Sequence, residues 1–290
     1  MILIATCEEW PNLHPDDRGL LAAFAERDMG AAPAVWNDPD VDWPQADAVL
    51  LRSTWDYSRT RDAFLRWLEG LSVPVFNPPA MIRWNTDKRY LDTLGLRGVP
   101  VVPTVYVDPG HSAPETPLAA QCVVKPSVSA GSQDTIRLEG DNRPAIERQV
   151  ARIHRQGKTA MIQPYLANVD SAGETALLFI DGEFSHSVRK GPMLPEVGRL
   201  ATDGLFAAEA IESRAASAAE LELGFQVIRA LPFETPVYTR VDLIPGADGA
   251  PVVLEVELTE PSFFFEFSPD AHRRFVDALL KRLRAHPRSR

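Results

Sequence analysis

The chain has 290 residues, 45% of them apolar and 24% charged, which suits a globular protein with two or three lobes around substantial cores. Its formal charge of −10 argues against nucleic acid as the main partner, although a few lysines can still make a local anion site. Two cysteines, Cys7 and Cys122, are too few for a disulfide framework, and no apolar run nears the ~20 residues of a membrane span; a cytoplasmic protein without a membrane partner is expected.

The opening MILIATCEEW lacks a basic leader, so it reads as a first strand over Ile2 to Ala5 and not as a signal peptide. Helical spacing follows within Pro15 to Arg27 at Leu20, Leu21 and Phe24, then strands near Ala34 to Trp36 and at Ala48 to Leu51. This alternation predicts a parallel α/β lobe. Its third strand runs into the hexapeptide RSTWDY and an amphipathic helix with Phe64, Trp67, Leu68 and Leu71. Ligands bind beyond the carboxyl ends of such strands, so Arg52 is a candidate clamp for a substrate carboxylate, with Ser53 and Thr54 as neutral donors. The competing reading has Ser53 or Thr54 capping the helix and Arg52 pairing with Asp56.

PVFNPP, Pro74 to Pro79, reads as a turn-rich joint, after which Asn85 or Thr86 can cap a helix that carries Lys88 in its first turn and ends near Gly95. A cation there opposes the helix dipole unless an anion lies nearby. QCVVKP reads as a strand bearing Lys125, and the small residues after it, Ser127, Ser129, Ala130, Gly131 and Ser132 among them, make a candidate phosphate loop. An SAGS run taken by itself is more often a plain loop. A helix around Ala145 to Arg155 leads to the strand AMIQPYL, where Gln163, Tyr165 and Leu166 either line a base at a lobe junction or sit at a core edge. Glu174 to Lys190 reads as two strands about an Asp-Gly turn, ending in Arg189 and Lys190, which can face phosphate or substrate. Pro192 to Gly204 reads as an irregular loop, Ala215 to Arg229 as a helix, Pro269 to Leu283 as another, and Lys281 to Arg290 as a basic, fraying tail.

Between the last two helices lies VYTRVDLIPGADGAPVVLEVELTEPS, two apolar runs about a Pro, Gly and Asp-rich turn. Side chains alternate along a strand, so Glu255 and Glu257 share a face, and a loop with an even number of residues adds Arg240 and Asp242 to it. Opposed like charges destabilise a sheet unless a cation or ligand neutralises them, and oxygen ligands suit Mg²⁺. A solvated hairpin face is the alternative. Asp242→Asn or Glu255→Gln is expected to abolish activity while leaving stability near that of the unaltered protein.

Six histidines are scattered without an H-E-x-x-H or a Cys/His cluster, and neither a P-loop nor a G-x-S-x-G elbow is present. The ordered set of two lysines, a small-residue loop, a hinge and a late acid cluster resembles the ATP-grasp superfamily over nearly the whole chain. RSTWDY, WNTDKRYL, VVKPSVSAGS, RVDLI and LEVELTEPS are together similar to the cycloserine synthetases, cyclo-ligases acting on O-ureido-D-serine.

The resemblance implies an α/β and α+β protein: an N-terminal α/β substrate lobe over residues 1–84, then two α+β lobes, 85–165 and 166–290, clasping ATP. It implies Lys88 and Lys125 on the α and β phosphates, the 127–132 loop over the β and γ phosphates, and Gln163, Tyr165 and Leu166 at adenine with Glu174 at ribose. Asp242, Glu255 and Glu257 become the Mg²⁺ acids, and Arg240 steadies the transferred phosphoryl group. Arg52, Ser53, Thr54, Arg189, Lys190 and Ser262 are left for a small amino-acid-like substrate. Many relatives have Glu-x-Asn where this chain has Glu255-Val-Glu257, and an acid at the hinge where it has Gln163-Pro164. The oligomeric state is open, a homo-oligomer included.

Overall fold

A computed structural model describes residues 1–115, 118–192, 194, 196–202 and 210–285. Parts of the expected 192–204 loop and of the basic tail therefore lie outside the described residues.

Apolar, β-branched runs in the first 77 residues build a four-stranded parallel sheet. Its elements are β1 (Ile2–Thr6), α1 (Gly19–Ala25), β2 (Ala31–Val35), β3 (Ala48–Leu51), α2 (Arg61–Gly70) and β4 (Val75–Phe76), with strand order β2-β1-β3-β4. β1 and β3 are buried throughout, as strands covered on both faces require. β4 corrects the reading of PVFNPP as a plain joint: Val75 and Phe76 pair with Val49 and Leu50. Asn77, just beyond, is fully buried and donates to Tyr238 O (3.0 Å) and Leu258 O (2.8 Å), tying this lobe to the C-terminal sheet.

Two short helices follow, α3 (Pro79–Asn85) and α4 (Tyr90–Leu96). Met81, Tyr90, Leu91 and Leu94 share a core with Leu177, Phe179, Leu223 and Val241, so this segment packs on the C-terminal sheet. The central sheet itself spans β5 (Val105–Val107), β6 (Gln121–Pro126), β7 (Ile136–Glu139) and β8 (Ala160–Pro164), ordered β5-β8-β6-β7 and antiparallel. Helix α5 (Arg143–His154), capped by Asn142, buries Ile146, Val150 and Ile153 against Val124 and Ile162.

The C-terminal lobe contains α6 (Val169–Ala172), β9 (Glu174–Ile180), β10 (Glu183–Lys190), β11 (Ile211–Ser213), α7 (Ala218–Ala230), β12 (Tyr238–Pro245), β13 (Pro251–Glu257) and α8 (Ala271–Ala285). Strand order is β11-β10-β9-β12-β13. Asp181 and Gly182, both at positive φ, make the expected turn between β9 and β10. Ser217 and Glu220 close a capping box on α7. Phe275 and Leu279 of α8 join Leu20 and Phe24 of α1 in one core. Lys281 and Arg282, read as part of a fraying tail, lie inside α8 and donate to Asp181. No helix among the described residues is long and apolar enough to cross a membrane.

One irregularity sets the chemistry of the β12–β13 hairpin. The residues between Pro245 and Pro251 number five, an odd loop that would put the acids of the two strands on opposite faces. A bulge at Leu254 compensates: Leu243 faces Val253, but Asp242 faces Glu255 and Arg240 faces Glu257.

Candidate active site

The face so formed opens on a cavity between the central and C-terminal sheets. Arg240 lies among the acids. It donates to Asp242 through Nε (2.9 Å to Oδ1) and Nη2 (3.0 Å to Oδ2), and to Glu257 through Nη2. Asp242 also accepts from Lys190 Nζ at 3.0 Å, and Lys190 stands 3.1 Å from Glu174. Burial raises the Asp242 carboxyl, yet Arg240 and Lys190 together hold it below the usual carboxylate range. Burial pushes Glu257 up to about 7, with Glu255 and Asp242 adding to it and Arg240 opposing.

The cations face these acids across the cavity. Lys88 is 3.1 Å from Glu255 and donates to Ser129 O at 2.7 Å, while its backbone N–H donates to Ser127 O. It lies in the connection before α4, which starts at Tyr90, so the expected helix start at Asn85 or Thr86 is corrected. Asn85 ends α3 and acts at long range instead: its Nδ2 donates to Val256 O (2.7 Å) and its Oδ1 accepts from Leu258 N–H (2.7 Å). Lys125, on β6, lines the same cavity and makes no side-chain hydrogen bond or ion pair among the described residues. Burial pulls its ammonium down to about 8, Lys88 acting in the same direction and Glu255 against it.

Ser129, Ala130, Gly131 and Ser132 line the cavity beside Lys88, with Gly131 and Ser132 in the left-handed region. Ser127 does not line it; its backbone is taken by Lys88 and Thr159, so its assignment to phosphate is corrected to an anchor of the loop. Gln163, Tyr165 and Leu166 line the cavity with Val102, Val123, Ile244 and Leu254, an apolar slot at the lobe junction. Gln163 donates to Thr104 Oγ1 (2.9 Å), and the Arg137 guanidinium lies 3.5 Å from the centre of the Tyr165 ring.

A second cavity adjoins the first, and Lys88, Ser129, Ala130, Gly131, Arg240, Glu255 and Glu257 line both. Ser262 lines the second, with its carbonyl accepting from Arg240 at 3.2 Å. Four other substrate candidates are corrected. Arg52 is 1% exposed and lines neither cavity: Nε donates to Asp17 (2.7 Å), Nη2 to Pro261 O (2.6 Å), and four aromatic rings surround it at 5.5 to 5.9 Å. Its alternative partner is taken as well, since Asp56 accepts from Trp36 Nε1. Ser53 donates to Asp17, and Thr54 is buried away from both cavities; neither side chain caps a helix. Arg189 points to the face opposite Lys190 and donates to Ala172 O and Ser171 O.

Sequence reasoning missed His14, Trp55, Tyr57, Asn85, Glu260 and Phe264, all of which line the second cavity. Trp55, Tyr57, Asn85 and Glu260 stood inside quoted motifs, and the signal available was their place beside assigned residues.

Comparison with known proteins identifies the family. Residues 2–77 match the family model for the N-terminal domain of the D-cycloserine synthetase DcsG. The cycloserine biosynthesis protein DcsG of Streptomyces lavendulae is 39% identical over 284 residues, covering 91% of this chain and 93% of that one. A crystal structure of D-cycloserine synthetase DcsG superposes with a TM-score of 0.88 at 35% identity, over 97% of this chain and 99% of that one. D-alanine–D-alanine ligase from Bacillus anthracis shares the fold alone, with a TM-score of 0.68 at 16% identity over 98% of this chain and 97% of that one. The chain belongs to the DcsG family and is an ATP-grasp, ATP-dependent ligase of the cycloserine synthetase type.

Proposed function

We propose that the chain uses ATP and Mg²⁺ to activate the carboxylate of O-ureido-D-serine and that a nitrogen of the same molecule then closes the ring. The observation that carries this reading is the wall shared by the two cavities. Lys88, Arg240, Glu255 and Glu257 can act on a γ-phosphate held in the first and a carboxylate held in the second. Relatives named for cycloserine biosynthesis support the substrate class.

In this reading Gln163, Tyr165 and Leu166 line adenine and Glu174 approaches the ribose. Lys88 and Lys125 neutralise the α and β phosphates, and the 129–132 loop covers the β and γ phosphates, excluding water. A carboxylate oxygen attacks the γ-phosphorus, giving an acyl phosphate and ADP; the substrate nitrogen then displaces phosphate. Arg240 bridges the shared wall and steadies the transferred group.

The donor set fits Mg²⁺ in part. Glu255 and Glu257 are adjacent carboxylates about one-quarter exposed to the cavity, the pair Mg²⁺ commonly takes with phosphate and water. Asp242 is 3% exposed and already held by Arg240 and Lys190, and among the described residues no three acids gather as a metal cage. In this reading Asp242 orients those cations, and Glu255 and Glu257 are the acids left open to Mg²⁺. When bound, Mg²⁺ supplies neutralisation of the phosphate charge.

The test is incubation with ATP, Mg²⁺ and O-ureido-D-serine without a second amine. ADP and a ring-closed product should appear in equal amounts. ADP formed only when a separate amine is added would replace the cyclising reading with an intermolecular ligase.

A further inference from the structure

Glu260 stands three residues beyond Glu257, after β13 has ended. Its side chain is 5% exposed, lines the second cavity but not the first, and has no hydrogen bond or ion pair among the described residues. Its surroundings are fixed independently of it. Trp55 Nε1 donates to the Glu260 carbonyl (3.1 Å), and His14 packs edge-on against Trp55 at 5.1 Å. Phe264 is held in the left-handed region while the backbone N–H groups of Phe263, Phe264 and Phe265 donate to Asp16 at 2.7 to 2.9 Å. Together with Tyr57 these rings line the same cavity as Glu260.

A buried carboxyl without a partner is unfavourable in its charged form, and burial with Glu257 nearby drives Glu260 well above the usual carboxylate range. The cationic residues of this cavity, Lys88 and Arg240, lie on the wall shared with the nucleotide side; Arg240 reaches within 5.6 Å of the Phe264 ring, and both cations oppose the upward shift of Glu260. Along this cavity Lys88 and Arg240 stand with Glu255 and Glu257 on the shared wall, where a carboxylate meets the γ-phosphate, and among the described residues Glu260 is the one acid at the part that only the second cavity reaches. An amino-acid zwitterion has the complementary order of charge, and an ammonium gains from both a carboxylate and aromatic faces.

We propose that Glu260 receives the ammonium group of the substrate and restricts the enzyme to carboxylates that carry a free amine. This inference rests on the functional reading above for the position of the carboxylate. It adds an orientation: with the ammonium on Glu260, the carboxylate can only point to the shared wall.

The experiment pairs O-ureido-D-serine, D-serine and D-alanine with counterparts in which hydrogen replaces the ammonium. Binding to the full chain holding a non-hydrolysable ATP analogue and Mg²⁺ is followed by calorimetry, and ADP release is followed with ATP. At least one amine-bearing member should bind about 10- to 100-fold more tightly than its counterpart. Glu260→Gln should erase that ratio, raise KM for the amine more than it lowers kcat, and leave affinity for the ATP analogue unchanged; Glu260→Asp should restore part of the ratio.

Equal binding of amine and counterpart, or binding of neither, overturns the proposal, as does a loss confined to kcat. Turnover and binding separate this inference from the parent reading: amine-selective binding that needs Glu260, without ADP release, would sink the ligase substrate and leave the ammonium site standing. Neutralising Glu260 removes an unpaired buried charge, so the Gln variant is expected to fold.

Discussion

Arg52 and Arg240 are both almost wholly buried, both hold an aspartate, and both lie within 6 Å of aromatic rings. They differ in what lies beyond the ion pair. Arg52 is enclosed by Tyr238, Phe263, Phe265 and Phe275, so its pairing with Asp17 joins the N-terminal lobe to the C-terminal core. Arg240 borders two cavities, with acids about one-quarter exposed beside it. The same residue chemistry is structural where rings close around it and, in the proposed reading, functional where space for a ligand remains.

The sharpest way to break this comparison is to remove each guanidinium. Arg240→Met should lower kcat/KM for ADP formation by about 10³-fold, the scale expected when a donor to a developing phosphoryl charge is lost. Arg52→Met should instead cost about 3–5 kcal/mol of stability by leaving Asp17 buried and unpaired. Its activity per folded molecule should stay within about threefold, with Arg52→Lys as a milder variant if Met prevents folding. Urea denaturation and steady-state ADP release distinguish the two; an Arg52 variant that is stable but inactive would show that the buried cluster reaches the chemistry.

A smaller contrast lies within the hairpin. Asp242→Asn and Glu255→Gln should each reduce ADP formation by about 10²-fold or more. The sequence suggested that neither would harm the fold, because crowded anions would be relieved. The structure separates them: Asp242 is the shared acceptor of Arg240 and Lys190, so Asp242→Asn should cost about 2 kcal/mol or more. Glu255 is 25% exposed and among the described residues its ion pair is with Lys88, so Glu255→Gln should change stability by about 0.5 kcal/mol or less. Thermal melts giving equal losses for both would contradict the assignment of Asp242 as an internal support.

These contrasts follow the boundary of what could be read from the sequence. Period-2 alternation and turn residues disclosed the hairpin, the Lys125 strand, the small-residue loop and the 174–190 strand pair, because those are local patterns. The acid face itself depended on the bulge at Leu254, which alternation does not reveal. Arg52 was misread because Asp17 lies 35 residues earlier and the rings that close over it fall between positions 238 and 275. Asn85 looked like a helix cap because caps are local, whereas its partners lie 171 and 173 residues away. Glu260 follows the end of β13, where strand periodicity no longer says which way a side chain points.

Lys125 offers the finest distinction, since it is a buried cation without a side-chain hydrogen bond or ion pair among the described residues. With its ammonium pulled down to about 8, the free protein at pH 8.8 has mostly lost that proton. A triphosphate beside Lys125 favours the charged form, so nucleotide binding should take up roughly 0.5 to 1 proton at pH 8.8 and almost none from this group at pH 6.5. Glu257, near 7, is already ionised at pH 8.8 and releases little there. The same shift has a sign for stability: between about pH 8 and the unfolded value near 10.4 the unfolded chain binds more protons, so the contribution of Lys125 to stability rises with pH across that window. Calorimetric titration of a non-hydrolysable ATP analogue with Mg²⁺, in two buffers of different ionisation enthalpy, measures the uptake. Lys125→Met should abolish it, and an unchanged buffer dependence in that variant would mean that Lys125 does not meet the phosphates.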